Sequence, residues 1–163
     1  MLSVQTGAVQ DMDHLWEKAK LISVQTGSEI VGGFDVGFDR EIGAETQNVL
    51  MDFLYWVEDH YPVPVTLWVD FKHKHYLLDE NKKRTPYRFY WVDYESLATF
   101  DSFDDIPVIE LAARCESQTQ DELLSSLIDA ISHYYAWLSG EDMKKFQPDQ
   151  ALTEEILRKY QNT

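Results

Sequence analysis

Asp129 and His133 stand four residues apart, a spacing that puts both side chains on one face of a helix. A carboxylate and an imidazole placed so either form a solvated ion pair worth about 0.3–0.5 kcal/mol or line a cleft, where they can ligate a metal or carry protons. His73 and His75 alternate with Lys72 and Lys74 between Phe71 and Tyr76. On a strand, residues two apart share a face, which is a workable metal spacing. The competing reading is a polar edge strand that discourages pairing with another chain. Cys115 follows Arg114, and a neighbouring cation can lower a thiol pKa. One charge is thin support, so the thiol reads as structural. His14 and His60 have no partners in the sequence and read as helix surface or boundary residues. Asp101, Asp104 and Asp105 read as an acidic solvated loop, because no glycine stands at the sharp turn of a calcium loop. Gly32, Gly33 and Gly37 fit no phosphate-cradling spacing and read as a loop or bulged strand. No G-x-S-x-G elbow supports Ser–His–Asp chemistry.

The elements that must hold these groups follow from periodicity. Residues 11–22 read as a short amphipathic helix, and the pentapeptide SVQTG at 3–7 recurs at 23–27 without further similarity. Residues 44–60 read as a helix, with Val49, Phe53, Trp56 and His60 on one stripe and Pro62 and Pro64 as its stop. Residues 63–71 alternate as a strand. Residues 79–85 are a polar connection, and the aromatic run 87–94 is a second strand. Its aromatics either pack in the core or anchor a partner, and packing is the plainer reading. An acidic loop at 101–107 leads into a short strand at 108–113. Thr119 with Glu122 forms a capping box for a helix whose apolar residues run from Leu123 to Leu138. Gly140 stops it, and a last helix covers 151–161. Asp129 and His133 lie roughly opposite the centre of the long helix's apolar arc. Strands flanked by helices predict an α+β fold with a small, mostly antiparallel sheet.

The run SLIDAISHYYAWLSGED, Ser126–Asp142, resembles the active-site helix of small bacterial and phage zincin-like metallopeptidases, in the style of the SprT-like proteins. Their run has the form S-L-x-H-E-x-x-H-Y-x-x-W-L-x-G-x-E. Ser126, Leu127, His133, Tyr134, Trp137, Leu138, Gly140 and Glu141 carry the likeness, which extends loosely over residues 44–161. It implies a zincin-like core and a preceding edge strand, with Val108, Ile109, Glu110 and Leu111 along the cleft. Two departures matter more than the matches. The first histidine of H-E-x-x-H falls on Asp129 and the glutamate on Ala130. That glutamate takes the proton from the attacking water, and such general acid–base help is worth roughly 10²–10⁴ in rate. Asp129 retains an oxygen that can ligate zinc, so a residual site would use Asp129 and His133, with Glu154 or Glu155 as a third ligand.

Composition narrows the partners. The chain has 163 residues with Lys plus Arg 14 and Asp plus Glu 29, giving a net charge of −15. That charge argues against nucleic acid, which needs a positive footprint, and against anionic lipid. A single cysteine excludes an intrachain disulfide and a Cys-rich zinc site. The first residues lack a basic segment followed by an apolar run, so a cytoplasmic setting is the expectation. The chain reads as one domain, 1–163: an N-terminal helix and Gly-rich segment (1–43), a zincin-like core (44–140) and a C-terminal helical segment (141–163). The expected function is non-catalytic binding of a peptide or protein partner, a basic one suiting the charge, with no cofactor. Its rivals are a metal-dependent peptidase with Asp/His ligands and an acidic interaction or immunity-type protein unrelated to zincins.

Overall fold

The computed structural model describes residues 33–93, 105–114 and 119–163. The expected helix at 11–22, the repeated pentapeptide, His14, Gly32, Asp101, Asp104 and Cys115 lie outside them. Strand β1 (Phe34–Phe38) leads to helix α1 (Ala44–His60) and strand β2 (Leu67–Lys72). A short ribbon, β3 (Leu77–Leu78) with β4 (Arg84–Thr85), precedes β5 (Tyr87–Asp93) and β6 (Asp105–Ala112). Helices α2 (Gln120–Leu138) and α3 (Gln150–Gln161) follow.

Each element has a local cause. Leu50, Phe53, Leu54, Trp56 and Val57 give α1 one buried stripe. Thr119 caps α2 by accepting a hydrogen bond from the Glu122 amide at 3.1 Å, as the capping-box spacing predicts. Gly140 follows α2 at φ 78°, a conformation that favours glycine. Asp149 caps α3 through the Ala151 amide. Lys82 turns the β3–β4 ribbon at φ 62°, and the Asp79 carboxylate steadies that turn by accepting from the amides of Asn81 and Lys83.

The sheet has the order β1-β2-β6-β5. The α+β class holds. The β5–β6 and β3–β4 pairs are antiparallel as expected, while β1–β2 is parallel because α1 carries the chain back between them, and β2–β6 is parallel because β5, antiparallel to β6, returns the chain. Two boundaries differ from expectation. Strand β2 begins at Leu67, not Val63, because Tyr134 and Tyr135 of α2 hold the preceding segment through the carbonyls of Val65 and Pro62. Strand β6 begins at Asp105, so residues 105–107 of the expected acidic loop pair with β5.

The expected cleft edge, Val108, Ile109, Glu110 and Leu111, is not an edge. Strand β6 is hydrogen-bonded to β2 on one side and β5 on the other. Its sequence gives the reason: Ile106, Pro107, Val108 and Ile109 are buried in succession, as befits a strand in the middle of a sheet. The helices share one hydrophobic cluster with Leu67, Val69, Phe71, Ile109 and Leu111. Asp35, Trp68, Asp70, Arg88, Tyr90 and Glu110 fall on the alternate face.

Candidate functional site

Helix α2 lies against β5, and the two elements build the surroundings of the predicted pair. The side chains of Asp129 and His133 turn to different partners. Asp129 accepts a hydrogen bond from the Thr153 hydroxyl of α3. His133 Nδ1 lies 2.6 Å from the Tyr87 hydroxyl of β5. The imidazole sits among rings, with Phe146 at 4.5 Å, Tyr87 at 5.4 Å and Phe89 at 6.0 Å between centroids. The bland expectation of a solvated ion pair therefore does not describe these residues, since both are largely withdrawn from water.

Burial sets their charge. Desolvation pushes His133 down to about 4, against a weaker pull upward from the Asp129 backbone carbonyl. The imidazole is neutral at pH 7. Burial also raises the pKa of Asp129, which the Thr153 hydrogen bond partly opposes. Tyr87 is raised by burial and by the neighbouring Asp129 charge, so its phenol keeps its proton. Asp129 and His133 thus make their side-chain contacts to different elements, Asp129 to α3 and His133 to β5.

Ala130 is fully buried in the core. A glutamate at this position would sit among apolar side chains. Glu154 and Glu155, the expected third-ligand candidates, are exposed, and their neighbour Thr153 occupies the place beside Asp129. Among the described residues, no three His, Cys, Asp or Glu side chains gather as a metal site. His73 and His75 are not on an edge strand either. They lie in a bend after β2, an interior strand, where the His73 amide donates to Asp39 Oδ2 at 2.9 Å.

A cleft of about 660 Å³ opens beside this cluster. Every residue from Tyr87 to Trp91 lines it, together with His133, and with residues 79–81 and Thr85 at one side and Met143 and Lys144 at the other. Side chains of successive strand residues point to opposite faces. A cleft that touches five in a row therefore runs along the strand's edge. The hydrogen-bond phase shows what that edge offers. Ala112 donates to the Pro86 carbonyl at 2.9 Å, so Pro86 and Ala112 form a hydrogen-bonded pair. In an antiparallel ladder such pairs alternate. Arg88–Glu110 and Tyr90–Val108 then exchange bonds, while Tyr87, Phe89 and Trp91 turn their N–H and C=O groups away from β6. Two observations agree with this phase. The outward Tyr87 carbonyl accepts from the Thr85 hydroxyl at 2.9 Å. Trp91 stands opposite Pro107, and the missing amide of a proline is tolerated at a non-bonded rung.

The sequence pointed to Asp129 and His133 but missed Tyr87, Thr153 and the edge. Thr153 did leave a signal, as the polar residue within the buried stripe Leu152, Thr153, Ile156 and Leu157. The chain matches no protein-family model, no curated protein and no solved structure. No helix among the described residues is long and apolar enough to cross a membrane.

Proposed function

We propose that this chain is a non-catalytic, zincin-like protein that binds an extended peptide or protein segment along the edge of β5 that no other described strand pairs. The observation that carries the reading is the cleft whose wall is the edge itself, with the outward amide and carbonyl groups of Phe89 and Trp91 facing it. An added strand satisfies those groups, and main-chain bonds of this kind give affinity with little dependence on sequence. Specificity comes from the pockets beside the strand. The rings of Tyr87, Phe89 and Phe146 surround the neutral His133 and Trp91 stands edge-on to Phe89, which suits an apolar or aromatic side chain of the bound segment. The resemblance to zincins contributes the idea of a cleft beside α2. Asp129 tied to Thr153 and Ala130 turned into the core argue that the hydrolytic chemistry is gone.

The test is selection of peptides from a random displayed library on the immobilised full chain, followed by nuclear magnetic resonance of the bound complex. Cross-strand proton contacts to Phe89 and Trp91, with new protection of their amides, are expected. Bound peptides that leave these amides unchanged would sink the proposal. Elemental analysis of protein purified without chelator separates binding from hydrolysis: stoichiometric zinc lost on Asp129→Ala, together with peptide cleavage, would replace the non-catalytic reading with a peptidase.

A further inference from the structure

His133 has two ring nitrogens, and the fold engages one of them. Nδ1 lies 2.6 Å from the Tyr87 hydroxyl. Among the described residues that hydroxyl has no other hydrogen-bond partner. Burial keeps the phenol protonated, and a buried O–H donor needs an acceptor. Nδ1 is the acceptor within reach, so in the neutral ring the proton sits on Nε2. The Asp129 backbone carbonyl also acts on the imidazole and favours the opposite tautomer, with the proton on Nδ1. The Tyr87 hydroxyl holds that tautomer off, which makes Tyr87 a positioning residue for Nε2–H.

Nε2 itself has no hydrogen-bond partner among the described residues. It is not sealed in the core either: among the described residues, Trp56 Nε1 is the one fully buried side-chain polar atom left without a partner. Nε2 therefore reaches open space, and the space that His133 lines is the cleft along β5. The surroundings of this donor are aromatic. Phe89 stacks on the imidazole with 22° between the planes, and Phe146 meets it edge-on at 70°. Phe89 shares its sheet face with the buried Ile109 opposite. A residue paired with Phe89 on an added strand sends its side chain to that same face, toward these rings.

We infer that the pocket takes a tyrosine of the bound segment, its ring packed against Phe89 and Phe146 and its hydroxyl oxygen accepting from His133 Nε2–H. The inference rests on the strand-edge reading and names the side chain that the edge selects. A phenylalanine would fill the same space and leave Nε2–H covered and unpaired, a loss that a hydrogen-bonding site penalises heavily. Lysine and arginine bring no acceptor. Asparagine and glutamine bring an acceptor but no ring to stack. A carboxylate would approach a chain of net charge −15.

Imidazole nitrogen resonances of the isotope-labelled full chain at pH 7 read the tautomer directly. Nε2 should carry the proton and Nδ1 should be bare, and the reverse would overturn the inference. In Tyr87→Phe the two forms should mix; an unchanged tautomer would overturn the positioning role of Tyr87. Peptides selected on the full chain should carry tyrosine at the position facing Phe89. Replacing that tyrosine by phenylalanine should weaken binding about tenfold or more, and the penalty should shrink against Tyr87→Phe. Equal affinity of the two peptides for the parent chain, with the Phe89 and Trp91 amides still protected, would overturn the inference and leave the strand-edge reading standing. A tyrosine-specific shift of Nε2 without amide protection would retain the tyrosine contact and sink the strand edge.

Discussion

His133 stays uncharged through the neutral range because its rings-and-phenol surroundings offer no substitute for water around an imidazolium. Its pKa of about 4 in the fold lies below the ordinary 6.5. Above 6.5 both folded and unfolded chains leave it neutral. Between 6.5 and about 4 the unfolded chain takes up the proton and the folded chain does not. Stability therefore falls as pH drops through that window, by up to about 3 kcal/mol. Asp129, with its raised pKa, acts in the opposite sense: its contribution is lost as pH rises through its folded value. Urea unfolding of the chain and of His133→Gln from pH 7 to pH 4 isolates the histidine. The variant should lose its stability more shallowly over that range, and parallel slopes would contradict the assignment. Ala130 provides a second prediction at this scale. Ala130→Glu should destabilise the fold by at least about 3 kcal/mol, since it buries a carboxylate without a partner. A variant that keeps its urea midpoint would mean that position 130 reaches the cleft after all.

Among the elements, α2 was the most legible in sequence and the sheet the least. The helix announces itself twice, through a 3.6-residue apolar period and through Thr119 placed three residues before Glu122. Thr119→Ala should cost about 1 kcal/mol, measurable as a lowered urea midpoint with an unchanged m-value. Strand order has no such local signature. Alternation identifies a strand and its inward residues, but whether the strand is central or peripheral depends on which neighbours pair with it. The apolar run Ile106-Pro107-Val108-Ile109 was a usable sign of an interior strand, and the acidic loop expected over 101–107 concealed half of it. The partners of the candidate pair were illegible for the same reason. Tyr87 lies 46 residues from His133 and Thr153 lies 24 from Asp129. Helical spacing reports only what shares one face, and each of these side chains found its hydrogen bond on a different element.

At the level of the whole molecule, the rungs of β5 that no described strand pairs and the net charge of −15 belong to one account. Unpaired main-chain groups on a peripheral strand form a template on which a second copy can grow. Mutual repulsion between strongly anionic copies keeps them apart, and it vanishes near the isoelectric point of about 4.5. Light scattering between pH 7 and pH 4.5 should therefore register self-association on acidification. A Trp91→Lys chain, with a cation on that strand, should associate less than the parent at the same distance from its own isoelectric point. The abundance of aspartate and glutamate would then serve as a colloidal safeguard, letting the chain keep one sticky seam available for its guest without zipping onto its own siblings.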